Sequence, residues 1–533
     1  MKILAVIPAR AGSRGVPNKN IRILAGKPMV YYAIHNAKES KFISEVVVTT
    51  DSPDVEIIAK QMGVSVKKRD KRLCADDVTL DAVIYDAIPR GEKWDYIVTM
   101  QPTSPTLTGK TLDSAIEYAI DQDLDTVISA INAPHLSWRQ EKGKVVPNYK
   151  KRLNRQYLPP CYMETGAFVI SKCSVVSESS RIGEKVSVFE ISENEAVDVD
   201  NFNDLQTVSH ILSQPKVGIY VNGNNQRGMG HISRTLEIAD EFFVKPDIYY
   251  DINQTDISVF GETKHNLIAV NGLFDLFAEC KRNQYTLFIN DILTTTIDYM
   301  IGLRSVLPKA KIVNFEDDGE GIAKADLVIN ALFEKSQFKN VMSGPDFYVS
   351  GKQFLFYKPI KISSSVKKVL VTFGGSDPQN YTDRILNLIS QNGYSGYEFT
   401  VVIGKSKKNA DRLLAYNDRP NVKVIQNIRN MAEIMSNCDM AITSRGRTGY
   451  ELASLGIPTI SIAQNAREET HTFMCNENGF TYIGMNPDDE IIKANLDMYL
   501  NLSQKSRQRF QDLMLSHDLR HGRKRVMSLI NNL

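Results

Sequence analysis

Arg10, Arg14 and Lys19 lie close together in the segment Ala9-Arg10-Ala11-Gly12-Ser13-Arg14-Gly15-Val16-Pro17-Asn18-Lys19-Asn20. The glycines among them allow positive φ and let backbone N–H groups approach an anion. Cations so placed can neutralise a triphosphate and stabilise charge developing on the attacked phosphorus and the departing pyrophosphate. No Gly-Lys-Ser/Thr closes the segment, so it is not a Walker A loop. Far downstream, Asp198-Val199-Asp200 would put both carboxylates on one side of an extended chain. Such a pair repels unless a cation lies between, and Mg²⁺ takes one or two carboxylates plus phosphate oxygens.

A second set of residues points to different chemistry. His231 follows Gly228-Met229-Gly230 at the expected start of a helix, whose positive end disfavours the imidazolium and leaves a neutral base. Gly374-Gly375-Ser376-Asp377 is another turn ready for an anion. It is followed by Ser444-Arg445-Gly446-Arg447-Thr448-Gly449-Tyr450-Glu451 and by Gln464-Asn465. Taken singly, each piece has a plain alternative: a solvated basic loop, an acidic turn before a helix, a capping histidine. Two phosphate-handling turns far apart imply two nucleotide sites, and the chain reads as two enzymes joined head to tail.

The elements that must position these residues are short β-branched runs alternating with amphipathic stretches, the pattern of α/β domains with largely parallel sheets. Strands are expected at Ile3–Pro8, Glu45–Thr50, Tyr96–Gln101, Thr126–Ile131, Gly166–Ser171 and Val186–Ile191. Gln101-Pro102-Thr103-Ser104-Pro105 then falls at a strand's carboxyl end, where ligands of open sheets bind. A polar helix near Asn203–Leu212 ends at Ser213-Gln214-Pro215, and a fresh strand begins at Val217. The expected domains are 1–214, 215–365 with His231, and 366–533, the last two forming a Rossmann-like pair around a cleft.

Composition fits a globular protein. A chain of 533 residues exceeds one core, and about three domains are expected. A net charge of +2 gives no reason to expect nucleic acid or an anionic membrane as partner. No apolar run reaches the ~20 residues of a membrane span. The first apolar run breaks at Pro8, which reads as a buried strand rather than a signal peptide. The six cysteines, Cys74, Cys161, Cys173, Cys280, Cys438 and Cys475, have no CxxC spacing. They suit reduced thiols in a cytoplasm rather than a zinc site or a disulfide framework.

Ile7-Pro8-Ala9-Arg10…Gly12-Ser13-Arg14-Gly15…Lys19-Asn20, Thr49-Thr50-Asp51, Gln101 to Pro105, Arg155-Gln156, Glu164-Thr165-Gly166-Ala167 and Asp198-Val199-Asp200, in that order, resemble the acylneuraminate cytidylyltransferases. The resemblance covers essentially the whole first part. It implies transfer of CMP from CTP to the anomeric hydroxyl of a nine-carbon ulosonic acid (sialic, pseudaminic or legionaminic type), with release of pyrophosphate. It assigns Arg10, Ser13 and Lys19 to the triphosphate and Asn20 to the nucleotide. Gln101 and Ser104 would position substrates, Arg155 and Gln156 would face the acid sugar, and Asp198 and Asp200 would hold Mg²⁺. Arg10 and Lys19 would also be catalytic. The family's usual Asn-Gly is Thr165-Gly166 here. Such synthetases are often dimers, which the resemblance carries over as a homo-oligomer.

Gly228-Met229-Gly230-His231-Ile232-Ser233-Arg234 and the later turns resemble the GT-B superfamily, above all the UDP-sugar hydrolases of pseudaminic acid biosynthesis. The resemblance implies that His231 activates the water that displaces UDP from the sugar. Gly375, Ser376, Thr448 and Gly449 would hold the diphosphate, Glu451 the ribose, and Asn465 the sugar or phosphates. The family's uncharged turn is replaced by Ser444-Arg445-Gly446-Arg447; two arginines suit a diphosphate clamp and equally a glycosyltransferase donor site. Hydrolase, glycosyltransferase and a module without catalysis remain open for this part. The expected architecture is α/β: a GT-A-like, Rossmann-type nucleotidyltransferase domain followed by a GT-B-like pair of Rossmann-like domains.

Overall fold

The structure is a computed structural model. It describes all residues except 13–14, 76, 224–229, 334–335, 337, 392, 405–406, 427 and 429. The chain divides into two compact units, Met1–Gln214 and Pro215–Leu533.

The first unit is built on a mixed sheet of β1 (Ile3–Pro8), β2 (Glu45–Thr50), β3 (Ser65–Lys68), β4 (Tyr96–Met100), β5 (Thr126–Asn132), β6 (Tyr162–Lys172) and β7 (Val186–Glu190), in the order β7-β5-β6-β4-β1-β2-β3. Strands β1 and β4 are apolar on both faces and lie at its centre, as strands covered by helices on both sides must. Flanking helices follow the same logic. Met29–Glu39 buries Met29, Val30, Ala33, Ile34 and Ala37, a stripe at helical spacing. Strand β6 runs antiparallel to both neighbours, and its register shifts between Glu164 and Val169, where Thr165 and Gly166 sit. The chain leaves β1 for β2 on one side and returns as β4 on the other. The loops after β1 and β4 therefore flank a switch point, where α/β sheets bind ligands.

The second unit contains two all-parallel sheets. One holds β8 (Val217–Val221), β9 (Asp247–Asp251), β10 (Asn266–Val270), β11 (Leu287–Asp291), β12 (Lys311–Phe315), β13 (Leu327–Asn330) and β14 (Val341–Ser343), ordered β10-β9-β8-β11-β12-β13-β14. The other holds β15 (Lys368–Thr372), β16 (Glu398–Ile403), β17 (Val422–Gln426), β18 (Met440–Ser444), β19 (Thr459–Ala463) and β20 (Phe480–Met485), ordered β17-β16-β15-β18-β19-β20. Both repeat the doubly wound 3-2-1-4-5-6 order of nucleotide-binding folds, and the pair is GT-B-like. In the first unit, strand β3 goes beyond the sequence reading.

Beneath the cleft, stacked rings of Tyr348, Tyr450 and Phe473 join the two halves, with centroids 4.4 and 4.3 Å apart. Val526, Met527 and Ile530 of the last helix, Gly522–Asn531, pack into the core of the first half. The chain thus closes back on the half it left. All six cysteines are unbridged, and among the described residues no helix is long and apolar enough to cross a membrane.

Candidate functional sites

In the first unit a cleft of about 340 Å³ is lined by Arg10, Gly15, Lys19, Asn20, Arg69, Gln101 and Asp200. The turn after β1 is pinned from both sides. Ala11 N–H donates to Asp51 Oδ1 at 2.7 Å, and Thr50 Oγ1 donates to the Ala9 carbonyl at 2.5 Å. Asn20 Nδ2 donates to the Arg10 carbonyl at 2.9 Å, so this buried amide shapes the turn itself. Thr50 and Asp51 are the turn's scaffold.

Lys19 Nζ donates to the Val199 carbonyl at 2.5 Å and lies 3.3 Å from Asp200 Oδ1. Val199 N–H reaches the Thr103 carbonyl at 2.8 Å. The basic turn, the Gln101 turn and the carboxylate segment thus meet at one place. Burial pushes the Asp198 carboxyl above its usual range; Thr103 and Lys19 oppose this, while Asp200 and Asp204 add to it. Asp198 Oδ1 is buried without a hydrogen-bond partner. A divalent cation would relieve both conditions. Among the described residues no cluster of three or more His, Cys, Asp or Glu side chains could hold a metal unaided. Two carboxylates with phosphate oxygens completing the shell is the pattern Mg²⁺ uses, so the residues fit it.

A Cβ on Gly166 would stand 3.1 Å from Asp198 Oδ2 and 3.3 Å from Gln101 Nε2, so this glycine carries the close approach. Its neighbour Thr165 turns inward, donating from Oγ1 to Ser129 Oγ at 2.7 Å. A residue that the sequence reading passed over is Arg69. It is buried, donates from Nη2 to the Thr49 carbonyl at 2.9 Å, and lines the cleft. It follows the short, lysine-rich strand β3 directly, inside a run of charged residues that marks none of them out.

Other sites named from the sequence lie elsewhere. Ser104 is buried with its hydroxyl unpartnered, beneath the wall rather than on it. Arg155 and Gln156 occupy an exposed turn, where Arg155 lies 3.4 Å from Glu193. Ser13 lies outside the described residues.

The second unit holds a cleft of about 690 Å³, lined among others by His231, Arg234, Gly375, Ser376, Thr448, Glu451 and Asn465. His231 opens the helix Gly230–Ala239. Gly228 and Met229 lie outside the described residues. Asp291, at the carboxyl end of β11, accepts a hydrogen bond from His231 Nδ1. That contact leaves Nε2 with its lone pair. Arg234 grips the same carboxylate, with Nε 2.9 Å from Oδ2 and Nη2 2.5 Å from Oδ1, and places Nη1 3.2 Å from Glu316 Oε1.

Burial opposes the Asp291 charge, but Arg234 and His231 outweigh it and hold the carboxyl at about 2. The His231 imidazole is depressed below its ordinary value. Burial is the main cause, with Asp291 opposing it, whereas the sequence reading had credited the helix terminus. The residue that orients the histidine was missed; an acid ending an apolar strand beside the switch point was its signal.

On the opposite wall Gly375 and Ser376 follow β15, and Thr448 opens the helix Thr448–Leu455. Glu451 sits in that helix's first turn, and among the described residues none hydrogen-bonds its carboxylate. Burial pushes its pKa up to about 7, with Arg447 pulling against it. Gly449 is turned away, since a Cβ there would stand 1.9 Å from Met474 Sδ. It is a packing glycine. Asn465 caps the next helix through Glu468 N–H at 3.0 Å while lining the cleft. Arg447 donates to the Val349 carbonyl at 3.0 Å and Arg467 to the Glu316 carbonyl at 3.2 Å. The two halves are thereby latched across the cleft.

A basic turn meets a carboxylate segment in one cleft, and a buried histidine–aspartate pair shares the other with the Gly375-Ser376 turn. Residues 4–187 match the cytidylyltransferase family, and 369–474 match the glycosyltransferase family 28 C-terminal domain. The chain belongs to the cytidylyltransferase family. It is 30% identical over 225 residues to post-translational flagellin modification protein B of Campylobacter coli, covering 96% of that protein and 40% of this chain. It is 31% identical over 222 residues to N-acylneuraminate cytidylyltransferase of Streptococcus agalactiae, covering 40% of this chain and 54% of that protein. A relative spanning both units is the pseudaminic acid cytidylyltransferase and UDP-2,4-diacetamido-2,4,6-trideoxy-beta-L-altropyranose hydrolase of Helicobacter pylori. It is 26% identical over 486 residues, 86% of this chain and 88% of that protein. The chain spans little more than half, 54–56%, of several of the curated relatives it matches.

Proposed function

We propose that the chain is a bifunctional enzyme of nine-carbon ulosonic acid synthesis. In the first unit CMP passes from CTP to the anomeric hydroxyl of a sialic, pseudaminic or legionaminic type acid. The hydroxyl oxygen attacks the α-phosphorus, its proton passes to solvent, and the bond to pyrophosphate breaks. The observation that carries this reading is the meeting of Lys19 with Val199 and Asp200 beside the turn of Arg10. Arg10, Lys19 and Arg69 hold the triphosphate and offset the charge that grows on the leaving group. Gln101 orients the substrates. Asp198 and Asp200 would hold Mg²⁺, which when bound neutralises phosphate oxygens and acidifies the attacking hydroxyl. The test is Mg²⁺-dependent pyrophosphate release from CTP with each of the three acids. Asp200→Ala should abolish it, and full activity in that variant would overturn the metal assignment.

In the second unit a UDP-2,4-diacetamido-trideoxyhexose is hydrolysed to free sugar and UDP. His231 Nε2 takes a proton from water, whose oxygen attacks the anomeric carbon as the bond to UDP breaks. Asp291 orients the ring and stabilises the imidazolium. Gly375, Ser376 and Thr448 receive the diphosphate, the buried Glu451 carboxylate receives the ribose hydroxyls, and Asn465 faces the sugar. The buried His231–Asp291 pair is the supporting observation. Release of UDP in water alone, lost in His231→Ala, is the expected result. Turnover only on addition of an acceptor glycan would make this unit a glycosyltransferase, and none with any acceptor would make it a binding module. The homo-oligomer that the resemblance carries over would be tested by sedimentation of the full chain.

A further inference from the structure

Beneath the turn Gly374–Asp377 lies a buried charge cluster to which the chemistry above assigns no role. The Lys407 side chain is 1% exposed, with Nζ 3.0 Å from Asp377 Oδ2 and 2.7 Å from Asp383 Oδ2. It also donates to Asn380 Oδ1 at 2.6 Å. Asp377 in turn accepts from Tyr381 N–H at 2.9 Å and Thr382 N–H at 3.0 Å, starting the helix Tyr381–Ile389. Arg412 binds the other oxygen of Asp383. The cluster is therefore charge-balanced. Gly404, just ahead of Lys407 in the chain, packs under the same turn, and a Cβ there would stand 2.2 Å from the carbonyl oxygens of Gly374 and Gly375.

Burying an ammonium group is costly unless it is paired, and a well-packed apolar pocket would hold a turn as firmly. What the lysine adds is sign. Asp377 is buried and follows Gly375 and Ser376, the residues that face the cleft. Left unpaired, its charge would act through low-dielectric surroundings on any phosphate seated there. We propose that Lys407 is the positioning residue of the diphosphate subsite, neutralising Asp377 and fixing the Gly374–Ser376 turn so that an anion can be received. This inference rests on reading the second cleft as a nucleotide site.

The test is calorimetric titration of the full chain with UDP. Lys407→Met should weaken binding about tenfold or more. In turnover KM should rise by a similar factor while kcat holds within about threefold, because Lys407 touches no reacting atom. Lys407→Met combined with Asp377→Asn removes the stranded charge as well and should recover most of the affinity. Lys407→Gln keeps a donor to Asp377 and removes only the charge. The same loss is expected of it, so the prediction survives if the methionine variant does not fold. Wild-type affinity in both single variants overturns the inference, as does a double variant no better than Lys407→Met. Absence of UDP binding to the unaltered chain overturns the nucleotide reading and the inference together, whereas normal binding with unaffected variants overturns the inference alone.

Discussion

The carbonyl oxygen of Asp200 lies 2.0 Å from where a Cβ on Gly15 would stand. The obstacle is backbone, so no side chain can swing aside to admit a methyl group. Gly15→Ala must push the basic turn away from the carboxylate segment. A displacement of about 1 Å in a phosphoryl-transfer site costs on the order of 100-fold in rate. Pyrophosphate release from CTP should fall by about that factor, with about 1–3 kcal/mol lost from the first unit's stability. Binding of UDP to the second unit should not change. Wild-type rates in the alanine variant would show that the two segments need not touch.

Arg69 makes a sharper case for the triphosphate. Its guanidinium is fixed by the Thr49 carbonyl and faces the same cleft as Arg10 and Lys19. A lysine lacks the planar fork that can serve a carbonyl and a phosphate together. Arg69→Lys should raise the KM for CTP about tenfold while thermal unfolding shifts little. Steady-state kinetics with varied CTP check this, and an unaltered KM would return Arg69 to a purely structural role.

In the second unit the rate should depend on the aspartate almost as much as on the histidine. A general base supplies about 10²–10⁴-fold, so His231→Ala should lose that much in kcat. Asp291→Asn should lose on the order of 100-fold, because the amide no longer fixes the ring with Nε2 as the base. The His231 pKa is depressed in the folded chain. The neutral imidazole is thus favoured, and its contribution to stability is full above the ordinary value of about 6.5 and lost as pH falls through the lower folded value. The acid limb of kcat/KM should accordingly lie below pH 6.5. A limb at or above that value would exclude His231 as the titrating base.

The alternation of apolar runs and helices was legible because buried parallel strands are uniformly apolar, as in Ile3–Pro8 and Val217–Val221. The antiparallel course of β6 was not, since strand direction leaves no mark on composition. Short strands such as Ser65–Lys68, mostly exposed and rich in lysine, carry no apolar signature either. Within the sites, residues on glycine turns stood out, whereas their partners did not. Asp291 is a single acid at a strand end and Arg69 is hidden in the charged run Lys67–Arg72, and only the sheet order brings them beside His231 and Arg10. Lys407 is opaque for a further reason. A lysine in sequence reads as surface, and only the placement of Asp377 and Asp383 makes it interior.

Glu451 offers a test by proton linkage. Its carboxyl is raised from 4.5 to about 7 by burial, so the folded second unit prefers it neutral. A raised carboxyl contributes stability that is present below its unfolded value near 4.5 and is lost as pH rises through about 7. Ribose hydroxyls require the opposite state, since only the carboxylate can accept from both. UDP affinity should therefore be about tenfold weaker at pH 6 than at pH 8, while the ligand-free unit is less stable at pH 8. UDP would then raise the melting temperature more at pH 8 than at pH 6. Glu451→Gln, which cannot titrate, should flatten both trends and leave only the ionisation of UDP itself. Equal pH dependence in the glutamine variant and the wild type, by calorimetry and thermal unfolding, would remove Glu451 from the nucleotide site.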